Sequence, residues 1–361
     1  MPGATYGLHL PGGHAAGASW PLVVMLHGCK QDAPTFAAGT RMNEIADREG
    51  FVVLYPEQRR LANAFRCWNW FDTAAQRSGG EAALIAGMIH EVTAAYAIDP
   101  RRVYIAGLSA DGAMVNVMVN CYGQLFAARA VHSGLMYRAA ESASQAMLAM
   151  RQGSSASPKA TVSKAAAFVP TLVIHGAGDD AVHPTNADQV VEQVVALSGH
   201  AGEPSLRTTE YSTSSGKGYA YATIDRRAGD RLLVRKVLVD GLGHAWSGGN
   251  GEHAFNDPAG PDASRMLWEF FPDSSATRRR CPMHQRRTLP CVGKAGDQAI
   301  NFLSVVGRPP CRCVAIGSEA PRAMNWPDPR ATCSLPSSTT MRPRLVTSSG
   351  HPLYTCPSYG V

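Results

Sequence analysis

The chain has 361 residues, of which 45% are hydrophobic and 17% are charged, and this composition predicts a globular protein. The net charge of +6 comes from residues 273–361, which contain twelve Lys or Arg and four Asp or Glu. Residues 1–272 contain the other 22 of 34 basic and 24 of 28 acidic residues, so their formal charge is close to zero. A nearly neutral body argues against a nucleic-acid partner, and the absence of an apolar run of about 18 residues argues against a membrane span.

Apolar runs of strand length alternate with helical patterns between residues 21 and 271, which is typical of a mostly parallel sheet covered by helices on both faces. The predicted strands are residues 21–26, 51–56, 102–107, 126–134, 170–176 and 231–240. The predicted helices are residues 37–48, 81–96, 112–121 and 262–271, and the alternation in residues 206–226 predicts a hairpin. The Ala-rich residues 138–167 predict either a helical excursion or a long surface loop.

The pattern changes after Phe271, where the chain becomes rich in proline and loses any sustained period. Six of the nine cysteines follow residue 280, with a single residue between Cys311 and Cys313. This composition favours a disordered or non-native tail; a small disulfide module and a metal site are the alternatives. We therefore predict a catalytic domain at residues 1–272 and an irregular tail at 273–361.

Residues 103–114, VYIAGLSADGAM, combine a buried strand, a turn at Ser109 and a helix. This order is typical of a nucleophilic serine on a strained turn above a helix N-terminus, while a serine that only caps the helix is the alternative. The final glycine of the usual G-x-S-x-G pattern is Asp111 here, followed by Gly112. A carboxylate at this position places negative charge near a developing oxyanion, so we expect Asp111→Gly to keep or improve turnover.

The segment LHGC, residues 26–29, follows the first strong strand. A hydrolase with a nucleophilic serine on a strand-to-helix turn places its oxyanion-binding turn at this point. The backbone N–H groups of Cys29 and Ala110 are the predicted oxyanion donors. His27 is interpreted as a buried histidine that fixes the loop.

An acid and a base follow in the chain order that such hydrolases use. Asp179 and Asp180 come directly after the strand at 170–176, and the spacing to Val182 favours Asp179 as the acid. His244 lies in a glycine-rich loop after the last strand, where its ring can reach Ser109. Ser109, Asp179 and His244 are therefore the predicted catalytic triad.

Six separated segments, in this order, resemble the polyhydroxybutyrate (PHB) depolymerase family of esterases, over roughly residues 6–271. They are LHGCKQD (26–32), CWNWF (67–71), GLSADGAM (107–114), HGAGDDAVHP (175–184), GHAWSGG (243–249) and GPDASR (260–265). The resemblance implies an α/β-hydrolase fold, no cofactor and no metal, and hydrolysis of poly(3-hydroxybutyrate) or short hydroxyacid esters. It also implies the same triad and the same two oxyanion amides.

Family members are commonly exported, whereas the first twenty residues lack the basic and apolar regions of a signal peptide. The resemblance thus predicts an extracellular protein, whereas the first twenty residues, if they are the true start, predict a cytoplasmic protein. Cys29 and Cys67 flank loops that we expect to meet at the rim of the site, so a disulfide between them is predicted in an oxidising compartment.

Trp68 and Trp246 are the predicted substrate-binding side chains, with packing in the core as the alternative. Fold and triad do not fix the acyl group, so a feruloyl or acetyl esterase on plant polysaccharide is an alternative function. A catalytically inactive binding protein is an alternative of another class. The sequence leaves the oligomeric state undetermined.

Overall fold

The computed structural model describes residues 5–14, 19–161, 166–213, 218–278 and 353–355. Its strands are β1 (Thr5–His9), β2 (Trp20–Leu26), β3 (Val52–Glu57), β4 (Ile98–Leu108), β5 (Ala128–His132), β6 (Thr171–Gly176), β7 (Leu206–Thr213), β8 (Tyr221–Ala228), β9 (Arg231–Val239), β10 (Trp246–Ser247), β11 (Asn256–Asp257) and β12 (Leu353–Thr355). Its α-helices are α1 (Ala33–Thr40), α2 (Met42–Glu49), α3 (Gly80–Ala95), α4 (Ala110–Tyr122), α5 (Ala143–Gln152), α6 (Thr185–Leu197) and α7 (Ala263–Arg278).

The main sheet has the strand order β12-β1-β3-β2-β4-β5-β6-β9-β8-β7. The six strands from β3 to β9 in this order run parallel. β1 is antiparallel to β3 at one side, and β7 and β8 add an antiparallel hairpin at the other. Because the carboxyl ends of parallel strands meet at one edge, the loops after β2, β4, β6 and β9 lie near one another.

The core has two layers, one on each face of the sheet, because side chains along a strand point alternately to opposite faces. Leu22 and Leu26 of β2 belong to the layer under α3, α4 and α6, whereas Val23 and Met25 belong to the layer under α1, α2 and α7. The parallel strands are buried on both faces, which explains why they were visible as continuous apolar runs.

The predicted strands correspond to β2, β3, β4, β5, β6 and β9, and the predicted hairpin corresponds to β7 and β8. The helix predicted at 37–48 is instead two helices, because Arg41 adopts a left-handed conformation (φ 57°) between α1 and α2. Within the Ala-rich segment, residues 143–152 form α5 and the other described residues form loops and turns.

Of the predicted tail, the structure describes residues 273–278 and 353–355. α7 continues to Arg278, six residues beyond the predicted boundary at 272, and Leu353–Thr355 pairs antiparallel with β1. Residues 279–352 and 356–361, with all six tail cysteines, lie outside the described residues. Across the described ranges, no helix has both the length and the apolar character needed to cross a membrane.

Candidate active site

Ser109 lies at the turn between β4 and α4, with a backbone conformation (φ 63°, ψ −128°) that is strained for a residue with a side chain. Its N–H donates to the carbonyl of His132 on β5 (2.9 Å), and its carbonyl accepts from Ala113 N–H (3.1 Å). Ser109 is 5% exposed. The turn therefore fixes Ser109 at the carboxyl edge of the sheet with the strained strand-to-helix geometry of a nucleophile elbow.

Three glycines let the backbone pass closely around this turn. A Cβ at Gly107 would lie 2.6 Å from the carbonyl oxygen of Asp111, and a Cβ at Gly112 would lie 3.1 Å from the carbonyl of His132. A Cβ at Gly134 would lie 2.7 Å from the carbonyl carbon of Gly112. The close packing at the start of α4 thus uses Gly112, which explains why position 111 accommodates a side chain.

The imidazole of His244 lies between Ser109 and Asp179. His244 Nε2 is 2.8 Å from Ser109 Oγ, and Nδ1 is 2.8 Å from Asp179 Oδ2 and 3.0 Å from Oδ1. A carboxylate on the Nδ1 side holds the proton on Nδ1 and leaves Nε2 free to accept the serine proton. The structure thus brings the three residues of the predicted triad into one hydrogen-bonded chain.

The Asp179 carboxylate is buried and well supplied with donors. Its Oδ1 accepts from the N–H groups of Ala181 (3.1 Å) and Val182 (2.8 Å). Burial by itself would raise the pKa of Asp179, but the hydrogen bond from His244 and the Val182 amide outweigh it and lower the pKa. Asp179 is therefore ionised at neutral pH.

His175 is a second histidine beside the acid, which sequence analysis missed. Its Nε2–H donates to the carbonyl of Val182 (2.8 Å) and lies 3.5 Å from Asp179 Oδ2. Burial lowers the pKa of His175, so the ring is neutral. It thereby closes the turn that carries Asp179.

His132 is another residue that sequence analysis missed, although it lies at the carboxyl end of a predicted strand. Its Nε2 accepts from Ser247 N–H (3.1 Å), and its ring stacks on Trp246, with 5.0 Å between centroids. Burial lowers the pKa of His132 to about 3, and the fields of His175 and His244 act in the same direction. A neutral His132 thus joins β5 to the loop that carries His244.

Hydrogen bonds of the Gln31 and His27 side chains hold the loop after β2. Gln31 Oε1 accepts from Gly28 N–H (2.8 Å), and His27 Nε2 accepts from Gln58 N–H (3.1 Å). The Nδ1–H of His27 donates to the carbonyl of Gly28 (3.0 Å). His27 is fully buried, and burial lowers its pKa, so it is a neutral structural residue of this loop.

Three connections join the same loop to residues 58–67. Cys29 and Cys67, the two cysteines paired in the sequence analysis, form a disulfide. Lys30 N–H donates to the carbonyl of Phe65 (2.6 Å). Arg66 forms an ion pair with Asp32 (3.0 Å). The predicted oxyanion amide of Cys29 is therefore in a rigid loop, and the amide of Ala110 is the first of α4, where N–H groups have no partner within the helix.

The two predicted substrate-binding tryptophans are both buried. Neither side chain presents an exposed surface to a substrate, so this prediction is corrected. Trp246 is 1% exposed, lies between His132 and the edge of Phe36, and donates its indole N–H to Ser264 Oγ (3.1 Å). Trp68 is 2% exposed and packs in the core layer under α3 and α4.

Asp111 was expected to lower turnover by placing negative charge near the oxyanion, whereas its side chain contacts the CWNWF segment in the structure. Its side chain is fully buried, and Oδ1 accepts from the N–H of Trp68 (3.1 Å). The carboxyl therefore joins α4 to the CWNWF segment, and Asp111→Gly, which removes this hydrogen bond, is no longer expected to improve turnover. Within the described ranges, no group of three His, Cys, Asp or Glu side chains is arranged to hold a metal ion.

Comparison with known proteins identifies relatives of this chain. Poly(3-hydroxyalkanoate) depolymerase C from Paucimonas lemoignei is 33% identical over 245 residues, 65% of this chain and 57% of that protein. Feruloyl esterase B from Neurospora crassa is 37% identical over 118 residues, 32% of this chain and 39% of that protein. The chain thus spans well under two thirds of the length of these relatives.

A solved structure and a family model complete the comparison. Acetyl xylan esterase from Aspergillus awamori superposes with a TM-score of 0.56 at 21% identity, covering 66% of this chain and 88% of that one, and confirms the predicted α/β-hydrolase fold. The family model described as "Esterase PHB depolymerase" matches residues 4–212, which is more than half of the chain. The chain belongs to the esterase PHB depolymerase family, within the α/β-hydrolase superfamily.

Proposed function

We propose that the protein is a serine esterase in which Ser109 is the nucleophile, His244 the general base and Asp179 the acid that orients it. The observation that carries this proposal is the continuous chain from Ser109 Oγ through the His244 ring to Asp179, with 2.8 Å at each link. The strained turn at Ser109 and the ionised, buried Asp179 supply the nucleophile and the charge that this mechanism needs.

In the proposed reaction, Ser109 Oγ attacks the ester carbonyl carbon while His244 Nε2 takes the hydroxyl proton. The C=O electrons move to oxygen, and the amides of Cys29 and Ala110 donate to that oxyanion. Collapse of the intermediate expels the alcohol, which takes the proton from His244. Water then attacks the acyl-Ser109 ester by the same steps and releases the acid.

The proposed substrates are poly(3-hydroxybutyrate) and its short oligomers. The support is the family and the similarity to a poly(3-hydroxyalkanoate) depolymerase over 65% of this chain. A feruloyl esterase is the second candidate, because a relative of that name is 37% identical over 118 residues. The disulfide between Cys29 and Cys67 favours folding in an oxidising compartment.

The test uses the full chain, with Ser109→Ala as the variant and Ser144→Ala, on the exposed side of α5, as the matched control. Fluorophosphonate should label the wild type and Ser144→Ala, and it should not label Ser109→Ala. Ester turnover of Ser109→Ala should fall on the order of 10⁴-fold. Labelling or turnover that survives in Ser109→Ala would reject the nucleophile.

A substrate panel separates the two esterase candidates. Hydroxybutyrate trimer, methyl ferulate and p-nitrophenyl butyrate are compared by kcat/KM. Preference for the hydroxybutyrate trimer supports the leading proposal, and preference for methyl ferulate replaces it with the second. A correctly folded wild type that hydrolyses none of the esters and takes no fluorophosphonate would indicate a binding protein.

A further inference from the structure

Asp111 is a fully buried carboxyl group two residues after the proposed nucleophile. Its Oδ1 accepts one hydrogen bond, from the backbone N–H of Trp68 (3.1 Å). Its Oδ2 has no hydrogen-bond partner among the described residues. A buried carboxyl that forms so few hydrogen bonds is costly, so its presence in this motif calls for a function.

The segment that Asp111 contacts is also held by a disulfide and hydrogen bonds at Cys67 and Asn69. Cys67 is bonded to Cys29 of the oxyanion loop, and its carbonyl accepts from Gln58 Nε2 (3.2 Å). Glu81, at the start of α3, accepts from the N–H of Asn69 (2.6 Å) and from its side-chain amide (2.7 Å). The Trp68 N–H joins this segment to the helix of the nucleophile through its hydrogen bond to Asp111.

We propose that Asp111 is a positioning residue for the oxyanion hole, which holds Trp68 against α4 and, through the Cys67–Cys29 disulfide, fixes the amide of Cys29 relative to Ser109. The inference depends on the proposed esterase function. It makes the two oxyanion amides part of one connected unit: Ala110 precedes Asp111 on α4, and Cys29 is connected to Asp111 through one hydrogen bond and one disulfide.

The protonation state of Asp111 fits this role. Burial raises the pKa of Asp111 well above its usual range; the Trp68 amide acts against this, and the negative charge of Glu81 acts with it. Glu81 is the charged group, among those of the described elements packed against α4, whose field acts on Asp111. Burial thus favours the neutral carboxyl, a form that keeps its acceptor for Trp68 and adds no negative charge beside the oxyanion.

The test compares Asp111→Asn, which keeps a neutral acceptor of the same shape, with Asp111→Leu, which has similar size and no acceptor. We measure kcat and KM on p-nitrophenyl butyrate. Asp111→Asn should stay within about threefold of wild type, whereas Asp111→Leu should lose about 10- to 100-fold in kcat with little change in KM, since a displaced oxyanion donor acts in the transition state. Asp111→Ala, which also lacks the acceptor, replaces Asp111→Leu if the latter is insoluble.

A double-mutant cycle with Cys29→Ser/Cys67→Ser tests the route of the effect. If Asp111 acts through the disulfide, removing its acceptor should cost less in kcat once the disulfide is absent, so the two losses should not add. Full additivity, equal activity of Asp111→Leu and wild type, or equal losses in Asp111→Asn and Asp111→Leu would each overturn the inference. Failure of the proposed function would look different: the wild type itself would lack esterase activity and Ser109 labelling.

Discussion

The backbone N–H of Ser109 donates a 2.9 Å hydrogen bond to the carbonyl oxygen of His132. The side chain of the same histidine accepts from the N–H of Ser247, three residues after His244. His132 therefore contacts both the turn of the proposed nucleophile and the loop of the proposed base, through its backbone on one side and its ring on the other.

We predict that His132→Leu lowers kcat by about tenfold, because the loop of His244 loses its anchor, and lowers the free energy of unfolding by about 1–3 kcal/mol, because Ser247 N–H is left unpaired. His132→Gln offers an acceptor near the position of Nε2 and should recover part of both losses. Since the pKa of His132 is about 3, the ratio of wild-type to His132→Leu activity should stay constant from about pH 5 to pH 9. A ratio that changes across this range would show that His132 titrates during catalysis.

The Cys29–Cys67 disulfide closes a loop with a sequence separation of 38. Replacing both cysteines with serine should lower the free energy of unfolding by about 2–4 kcal/mol, because the unfolded chain regains the entropy of this loop. Urea unfolding under non-reducing conditions measures the loss, and Cys121→Ser, at the free cysteine of the described residues, is the matched control. Unfolding of the Cys29→Ser/Cys67→Ser variant should not respond to dithiothreitol, whereas a response equal to that of wild type would show that another bond is being reduced.

Asp179→Asn should lower kcat on the order of 10⁴-fold, because an amide does not stabilise the imidazolium of His244 or hold its Nδ1 proton. The pKa of Asp179 is lowered in the folded state, so ionised Asp179 stabilises the fold above its unfolded-state pKa, and this contribution is lost as pH falls through the folded-state pKa. The difference in unfolding free energy between wild type and Asp179→Asn should therefore be constant near neutral pH and shrink below about pH 4. A difference that grows as pH falls would contradict the assigned ionisation.

Gly134→Ala should destabilise the protein by about 1–3 kcal/mol, because the new Cβ would lie 2.6 Å from Val131 Cγ1 and 2.7 Å from the carbonyl carbon of Gly112. Gly87→Ala is the matched control, since a Cβ at this position of α3 meets nothing within 4 Å. We expect Gly87→Ala to stabilise by about 0.5–1 kcal/mol through helix propensity. Equal melting temperatures of the two variants would show that α4 has room to move away from Gly134.

A chain that ends at Arg278 loses the three-residue edge strand β12, which pairs with β1, and should keep most of the thermal stability and the esterase activity of the full chain. The reason is the change in the sequence after Phe271, where proline and basic residues replace the apolar periodicity that builds a core. Differential scanning calorimetry and p-nitrophenyl butyrate turnover check this. Insoluble or inactive protein would show that the rest of the chain contributes to the catalytic domain.

The positions of the six parallel strands along the chain, and the residues that follow them, could be predicted from the sequence. Buried parallel strands are continuous apolar runs, and their carboxyl ends meet at one edge, so the sequence predicts that Ser109, Asp179 and His244 lie close together. The break at Arg41 and the extent of α7 could not be predicted, because a left-handed residue and a helix end depend on local contacts that apolar periodicity does not record.

The surroundings of the triad were decided by the tertiary structure. Packing places three residues beside their partners: His132 beside Ser247, Asp111 beside Trp68, and His175 beside Asp179. The first two pairs are far apart in sequence, and no sequence pattern marks His175. The sequence by itself determined which strands end in chemically active residues, because burial on both faces restricts those strands to apolar side chains. The burial of Trp246, two residues after His244, was left to the tertiary structure, because only the packed layers decide which side chains of this loop lie in the interior.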